Sequence, residues 1–287
     1  GEVQAPVVVL SAGSLGSTRL LLRNRRRLPL LSAALGGRFS TNGDALGAAF
    51  EPSLPGVLGA RIDYGPVMTT RIDYPGERFM LADGGLPPGF TGLLEVLRDE
   101  AVLVGWRRHL LLWLKRLAVQ LGLSDRMVTP RTVKLDLGGE PIEDSLVYLM
   151  LGADAADGQM RLTRFLRRFD IRWSGAGSAA LFEAMERATA KLGAAAEAEP
   201  FFALGHGPLG KDITVHPLGG CPMADDPAAG VVDGYGRVHS YPGLHVADGS
   251  IVPTALGVNP SETIAALAER AAERLIAGGG RRGHATR

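Results

Sequence analysis

The stretch from His216 to Ala266, HPLGGCPMADDPAAGVVDGYGRVHSYPGLHVADGSIVPTALGVNPSETIAA, constrains the fold of this chain more than any other. It reads as a glycine-rich loop, then a short apolar strand at Leu244-His245-Val246-Ala247, a turn at Asp248-Gly249-Ser250, and a helix opening at Asn259-Pro260. Asn suits the position that caps a helix, and Pro suits the first helical residue because its missing N–H would be unpaired there anyway. Ile264, Leu267, Ala268, Ala271 and Leu275 then fall on one stripe, with Glu269, Arg270, Glu273 and Arg274 on the opposite side. Gly278-Gly279-Gly280 ends that helix, and residues 278–287 read as a disordered tail.

The opposite end of the chain has the same α/β texture. Val7-Val8-Val9-Leu10 is a continuous apolar run, the pattern of a strand buried on both faces. Ser11-Ala12-Gly13-Ser14-Leu15-Gly16-Ser17 turns it into a helix beginning at Thr18-Arg19-Leu20-Leu21-Leu22. Such a unit brings backbone N–H groups close to a cofactor, although a plain βα turn satisfies the same letters. No G-x-G-x-x-G turn heads a βαβ unit.

Between these ends the pattern changes. Arg61-Ile62-Asp63-Tyr64 and Arg71-Ile72-Asp73-Tyr74 read as a hairpin-like pair around Gly65-Pro66. Arg78-Phe79-Met80-Leu81 is a further strand, followed by a turn at Asp83-Gly84-Gly85. Leu93 to Leu123 is helical with a break near Gly105. Strands follow at Val133–Leu137 and Leu146–Leu151, then a turn over Asp154–Gly158, a return strand at Gln159–Leu162, and an amphipathic helix from Ser178 to Leu192 ending at Gly193. The expected organisation is an α/β segment over 1–50, an α+β block with an antiparallel sheet over 51–205, and a second α/β segment over 206–277.

Composition narrows the class of function. Of 287 residues, 46% are hydrophobic and 21% charged, which fits a globular protein. A net charge of +1 gives no electrostatic case for nucleic acid. The basic runs, Arg23-Asn24-Arg25-Arg26-Arg27 and Arg281-Arg282, read as a solvated loop and tail. The single cysteine, Cys221, excludes an intramolecular disulfide and a Cys-based zinc cluster, and reads as a small loop residue. Ala101–Leu123 is interrupted by Arg107, Arg108, His109, Lys115 and Arg116, so it is not a spanning helix. No secretory segment opens the chain.

Three features carry chemistry. His216 sits on a constrained, side-chain-poor loop with room for a ligand, and histidine titrates near neutrality, so it can accept an alcohol proton as hydride leaves. A structural or exposed histidine is the competing reading. Asn259 at a helix start either caps that helix or points at a ligand. Asp248-Gly249-Ser250 either binds hydroxyls and lets backbone approach a ring or phosphate, or simply ends a strand. The helix after Pro260 directs free N–H groups and the positive end of its dipole outward, which suits a negatively charged group.

His216-Pro217-Leu218-Gly219-Gly220, Asp248-Gly249-Ser250 and Asn259-Pro260 resemble the C-terminal signature of the glucose-methanol-choline (GMC) oxidoreductases, in their cholesterol-oxidase-like branch. That resemblance implies an FAD-binding, Rossmann-like portion that is incomplete in this chain, beside an α+β substrate-binding domain with an antiparallel sheet. It implies His216 as general base or hydroxyl-orienting residue, and Asn259 as its hydrogen-bonding partner at substrate and flavin. Asp248, Gly249 and the helix start at Pro260 and Ser261 are implied flavin contacts. Gly13, Ser14 and Gly16 resemble the family's second flavin-proximal glycine turn, and Asn42-Gly43 a segment close to the isoalloxazine. The fingerprint for the ADP half of FAD is expected upstream of residue 1, in an N-terminal half of the same enzyme. The compartment is therefore open, cytoplasmic by default. The family's substrate-domain glutamate has Asp83 as its nearest counterpart, which leaves steroid isomerisation doubtful.

The expected activity is hydride transfer to FAD from a bulky, largely apolar alcohol such as a sterol. With 6% aromatic residues and no evident cluster, the chain offers no cage for choline. Dioxygen and another carrier are equally open as electron acceptor. The competing expectations are a catalytically silent, truncated or split chain, and a non-flavin binding module on the same fold.

Overall fold

The computed structural model describes residues 4–50, 68–84, 145–204 and 214–279. The helix over Leu93–Leu123, the strands at Arg61–Tyr64 and Val133–Leu137, and the tail to Arg287 lie outside them. So does the apolar stretch Ala101–Leu123. No helix among the described residues is long and apolar enough to cross a membrane.

The two ends of the chain meet in one short sheet. β1 (Val8–Leu10) runs parallel to β9 (Leu244–Val246), with Val8 opposite Leu244 and Leu10 opposite Val246. The apolar run forms its strand, but not one buried on both faces: Val7, Val8 and Val9 are 44–47% exposed. Among the described residues β1 has one strand partner and no element packed over these valines, so the run lies in a two-stranded sheet rather than at the centre of a larger one. The helix α1 (Gly13–Asn24) starts at Gly13, so the expected glycine turn is the first turn of the helix itself. Its buried face carries Leu21 and Leu22 into a core with Leu35, Val232, Val246 and Ile251. Arg23, Arg25, Arg26 and Arg27 at its end are exposed, as a solvated basic run should be.

The middle of the chain builds a five-stranded sheet in the order β3-β4-β5-β2-β8, with every neighbouring pair antiparallel. Its strands are β2 (Ala45–Phe50), β3 (Arg71–Tyr74), β4 (Phe79–Gly84), β5 (Ser145–Gly152) and β8 (Glu199–Leu204). β3 pairs with β4. Asp83 and Gly84, expected in a turn, continue β4 opposite Tyr148 and Val147 of β5. β2 is interior to the sheet despite its small residues. Gly47 lies opposite Tyr148, whose ring fills the space a Cβ on Gly47 would take, and whose hydroxyl donates to Ala48 O at 3.2 Å. The sheet therefore recruits the end of the 1–50 segment.

The strand β6 (Gln159–Leu162) does not return to β5. It pairs instead with β7 (Phe169–Arg172). The reason lies just upstream of β2: Phe39 and Gly158 exchange both backbone hydrogen bonds at 3.0 Å, and Met160 N–H donates to Gly36 O at 2.7 Å. Those contacts commit the start of β6 to the 36–39 segment, and Leu162 and Phe169 pack on the core under α1. Helix α2 (Ala179–Ala195) covers the large sheet, setting Leu181, Phe182, Met185 and Ala188 against Phe79, Leu81, Tyr148 and Met150. Burying each of the larger side chains contributes about 1.5–3 kcal/mol. The helix passes two residues beyond Gly193, which packs on Pro200. The last helix, α3 (Ser261–Gly279), starts with Ile264 N–H donating to Pro260 O at 2.9 Å. Ala271 is buried and the rest of its expected stripe half-buried, while Glu269, Arg270, Glu273 and Arg274 are exposed.

Candidate active site

The site is organised by a carboxylate that follows β5. Asp154 is 6% exposed. Its Oδ1 accepts from Ser40 Oγ at 2.7 Å and Ala156 N at 2.9 Å. Its Oδ2 accepts from Thr41 N, Thr41 Oγ1 and Gly43 N at 2.9, 3.0 and 3.2 Å. These bonds hold Asn42 and Gly43 in consecutive left-handed conformations, at φ 58° and 61°. A Cβ on Gly43 would fall 2.4 Å from Gly152 O, so the turn requires glycine.

Two side chains leave this turn toward different loops. Asn42 is fully buried. Its Oδ1 accepts from Leu256 N at 2.8 Å and Gly257 N at 3.0 Å, and its Nδ2 donates to Val258 O at 2.8 Å. It thereby fixes the backbone that delivers Asn259. Asp44, 4% exposed, takes the other loop. Its Oδ2 lies within hydrogen-bond reach of Thr214 Oγ1 (2.8 Å), Val215 N (2.8 Å) and His216 N (2.9 Å), and its Oδ1 is 2.9 Å from His216 Nδ1. Two residues of backbone span about 7 Å at most. The anchors of the His216 loop and the Asn259 loop are therefore neighbours.

Past His216 the chain threads a tight passage. Leu218 and Ser40 exchange backbone bonds at 3.0 and 3.1 Å, Gly219 N–H donates to Gly249 O at 3.1 Å, and Cys221 N–H donates to Ser250 O at 2.9 Å. Ser14 Oγ, in the first turn of α1, donates to Pro217 O at 2.7 Å. Gly219 and Gly220 have φ of 79° and 104°, and a Cβ would lie 1.9 Å from Arg38 O in the first case and 2.1 Å from Thr18 Oγ1 in the second. Cys221 is fully buried and burial pushes its thiol up to about 11, which makes it a packing residue.

Asp248 is turned into the protein. Its carboxylate accepts from Ser17 Oγ at 2.5 Å, Ser250 N at 2.9 Å and Ser250 Oγ at 2.6 Å, locking the start of α1 to the turn over Gly249–Ile251. Gly249 in turn lies against Ser14 and Ile264, so the first turns of α1 and α3 and the His216 loop meet there. Gly13 differs from the glycines of the passage: at φ 73° a Cβ on it would meet nothing within 4 Å. Among the described residues no side chain caps the first turn of α1. The N–H groups of that first turn have no partner within the helix, while Ala12 N–H donates to Ser17 Oγ at 3.1 Å and Gly16 packs beneath on Ala12.

Asn259 is exposed and its Nδ2 faces Met68 Sδ at 3.6 Å. It shares no hydrogen bond with His216 among the described residues. Asp83 lies in β4, bonded to Thr69 and Thr70 just past the Met68 that faces Asn259. Burial pushes its carboxyl up, but hydrogen bonds from the Thr69 hydroxyl and the Thr70 and Thr69 N–H groups outweigh this and hold it below its ordinary 3.8. A carboxylate so engaged makes a poor proton shuttle. Among the described residues no cluster of His, Cys, Asp or Glu could hold a metal.

Residues 154–268 match the family model described as GMC oxidoreductase. Over 271 residues, 92% of this chain and 46% of the relative, it is 30% identical to a cholesterol oxidase of Acinetobacter baumannii. This chain belongs to the GMC oxidoreductase family. A cholesterol oxidase of Mycobacterium tuberculosis (strain CDC 1551 / Oshkosh) is 57% identical over 60 residues, 21% of this chain and 10% of that protein. Among solved structures, pyridoxine 4-oxidase from Mesorbium loti superposes with a TM-score of 0.55 at 18% identity, covering 96% of this chain and 52% of that one. That likeness shows a shared fold. The chain spans about half the length of the A. baumannii relative and of the structural neighbour. His216, Asp248 and Asn259 lie within the matched region of this GMC protein, and Asp154 opens it. Asn42 and Asp44 lie outside it, and the resemblance paired His216 with Asn259 where the structure pairs it with Asp44. The one signal was an acidic residue directly after the Asn42-Gly43 turn.

Proposed function

We propose that this chain carries the proton-handling and ring-side part of an FAD-dependent alcohol oxidoreductase. The observation that carries the reading is the turn Asn42-Gly43-Asp44, which anchors the His216 loop with one side chain and the approach to Asn259 with the other. A histidine and an amide on adjacent, rigidly held loops are what a hydroxyl requires when it must be both oriented and deprotonated.

The residues present fit a flavin. The open N–H donors at the start of α1, with free space over Gly13, suit the electron-rich pyrimidine end of the ring. Ser14, Gly16, Gly43, Gly249 and the α3 start at Pro260 and Ser261 would line the same side. Asn42 and Asp248 would act by shaping the wall, since their polar atoms are engaged with protein. When bound, FAD supplies the hydride acceptor. His216 Nδ1 is committed to Asp44, so Nε2 is the ring nitrogen that meets the substrate. It takes the hydroxyl proton as hydride leaves the carbinol carbon. Asn259 orients the same hydroxyl through its amide.

A bulky, largely apolar alcohol of the sterol kind is the proposed substrate. The apolar composition of the middle block supports it, as does the 271-residue similarity to a cholesterol oxidase. The engaged Asp83 argues for oxidation without isomerisation. Stopped-flow reduction of the FAD-loaded protein by cholesterol, choline and glucose tests both parts. Cholesterol should reduce the flavin fastest, and His216→Ala should slow that reduction by roughly 10²–10⁴-fold. Near-normal reduction by a folded, FAD-loaded variant would overturn the role of His216, and a preference for choline or glucose the substrate class.

A further inference from the structure

We propose that Asp44 is a positioning residue that sets the tautomer of His216, keeping the proton on Nδ1 and the lone pair on Nε2. The inference rests on His216 being the proton acceptor of the preceding section, and it concerns how that role is enforced.

The geometry leaves little freedom. Asp44 is almost wholly buried, and its Oδ2 faces three protein donors: the Thr214 hydroxyl and the N–H groups of Val215 and His216. Only Oδ1 remains, and it lies 2.9 Å from His216 Nδ1. A carboxylate oxygen can only accept, so in the neutral imidazole Nδ1 must be the N–H donor and Nε2 the acceptor. The same three donors prevent the carboxylate from rotating away. They also hold the backbone of the histidine itself, so ring and main chain are fixed by one side chain. Asp154 completes the arrangement by fixing the turn that carries Asp44.

This makes Asp44→Asn an unusually informative change. The amide is nearly the shape of the carboxylate, and its oxygen must stay with the three donors at Thr214, Val215 and His216. Its NH2 then faces Nδ1. Nδ1 becomes the acceptor, the proton moves to Nε2, and the ring presents an N–H to a hydroxyl whose proton it should take. A buried Asp–His pair in a serine protease loses roughly 10⁴-fold in turnover by this route with its geometry intact.

The test has two readouts. Long-range ¹H–¹⁵N correlation of the imidazoles in this chain reports the tautomer directly, with the His216 signals assigned by their loss in His216→Gln. We expect the Nδ1–H form in the parent chain and the Nε2–H form in Asp44→Asn. An Nε2–H form in the parent chain overturns the proposal whether or not the variant folds. In the FAD-loaded enzyme, Asp44→Asn should slow flavin reduction by roughly 10²–10⁴-fold with KM changed less than about threefold. It should add no further loss in a His216→Gln background, whereas a purely structural role would cost the same in both backgrounds. Normal reduction by His216→Gln would sink the catalytic reading of His216 itself. Loss in His216→Gln with full activity and an unchanged tautomer in Asp44→Asn would sink this inference alone.

Discussion

The glycines of the His216 loop show how much of this site is decided by single atoms. Gly219 lies in the left-handed region, and a Cβ there would sit 1.9 Å from the backbone oxygen of Arg38, which no rotamer change relieves. Gly219→Ala should therefore lower unfolding stability by about 4 kcal/mol or more, at the top of the range for single substitutions. Urea denaturation checks this, and a loss below about 1 kcal/mol would mean that the 38–40 segment moves freely. The string around Gly219 was readable because glycines and prolines at fixed spacing leave a mark in the letters. Asp44 leaves only its place after the Asn42-Gly43 turn, and Asp154 leaves none. Each is an acidic residue in a loop, and only the fold shows that each is buried and accepts bonds from residues over a hundred positions away.

Secondary structure was legible where it has a period and obscure where it does not. The stripes of α2 and α3 and the apolar run of β5 stand in the sequence as they stand in the fold. β2, Ala45-Leu46-Gly47-Ala48-Ala49-Phe50, has small residues and a glycine, and its place in the sheet comes from Tyr148 packing over Gly47. β9 carries a less visible feature. His245 in its centre is 8% exposed, and its Nδ1 has no hydrogen-bond partner among the described residues. Burial holds its pKa below the ordinary 6.5, with Asp233 pulling it up and Arg237 pushing it down. Above 6.5 both folded and unfolded states carry a neutral ring, and its contribution to stability is complete. As pH falls below 6.5 the unfolded state takes the proton first, and stability is lost toward the lower, folded pKa. The urea midpoint should thus drop between about pH 7.5 and pH 5.5, and His245→Gln should flatten that part of the slope. An identical slope in the variant would remove His245 as its cause.

At the scale of the whole molecule, two cores meet at the 36–44 segment. One lies under α1 and the β1–β9 pair, the other between α2 and the large sheet. The segment bonds to β6, to the His216 loop and to Asp154 before entering β2, which is why the site forms where the cores join. The β1–β9 pair is the exposed part of this arrangement. A two-stranded sheet is marginal by itself, and Val8 and Val9 within it, with Val7 before them, are exposed. This bears on cofactor affinity. The letters G-x-G-x-x-G do occur, at Gly205, Gly207 and Gly210, but the chain runs from Thr214 into the His216 loop, with no G-x-G-x-x-G turn opening a helix among the described residues. On the proposed reading the described residues serve the ring of FAD, and among them there is no built cradle for its pyrophosphate. Charge-assisted hydrogen bonds contribute about 1.5–3 kcal/mol each. Lacking two of them weakens binding by roughly 10²–10⁴-fold relative to a site with both halves. We therefore expect calorimetric titration of FAD into the 287-residue chain to give a Kd weaker than about 1 μM. Stoichiometric binding tighter than that would place the pyrophosphate contacts within these residues, and would direct the search for them to the glycines that follow β8.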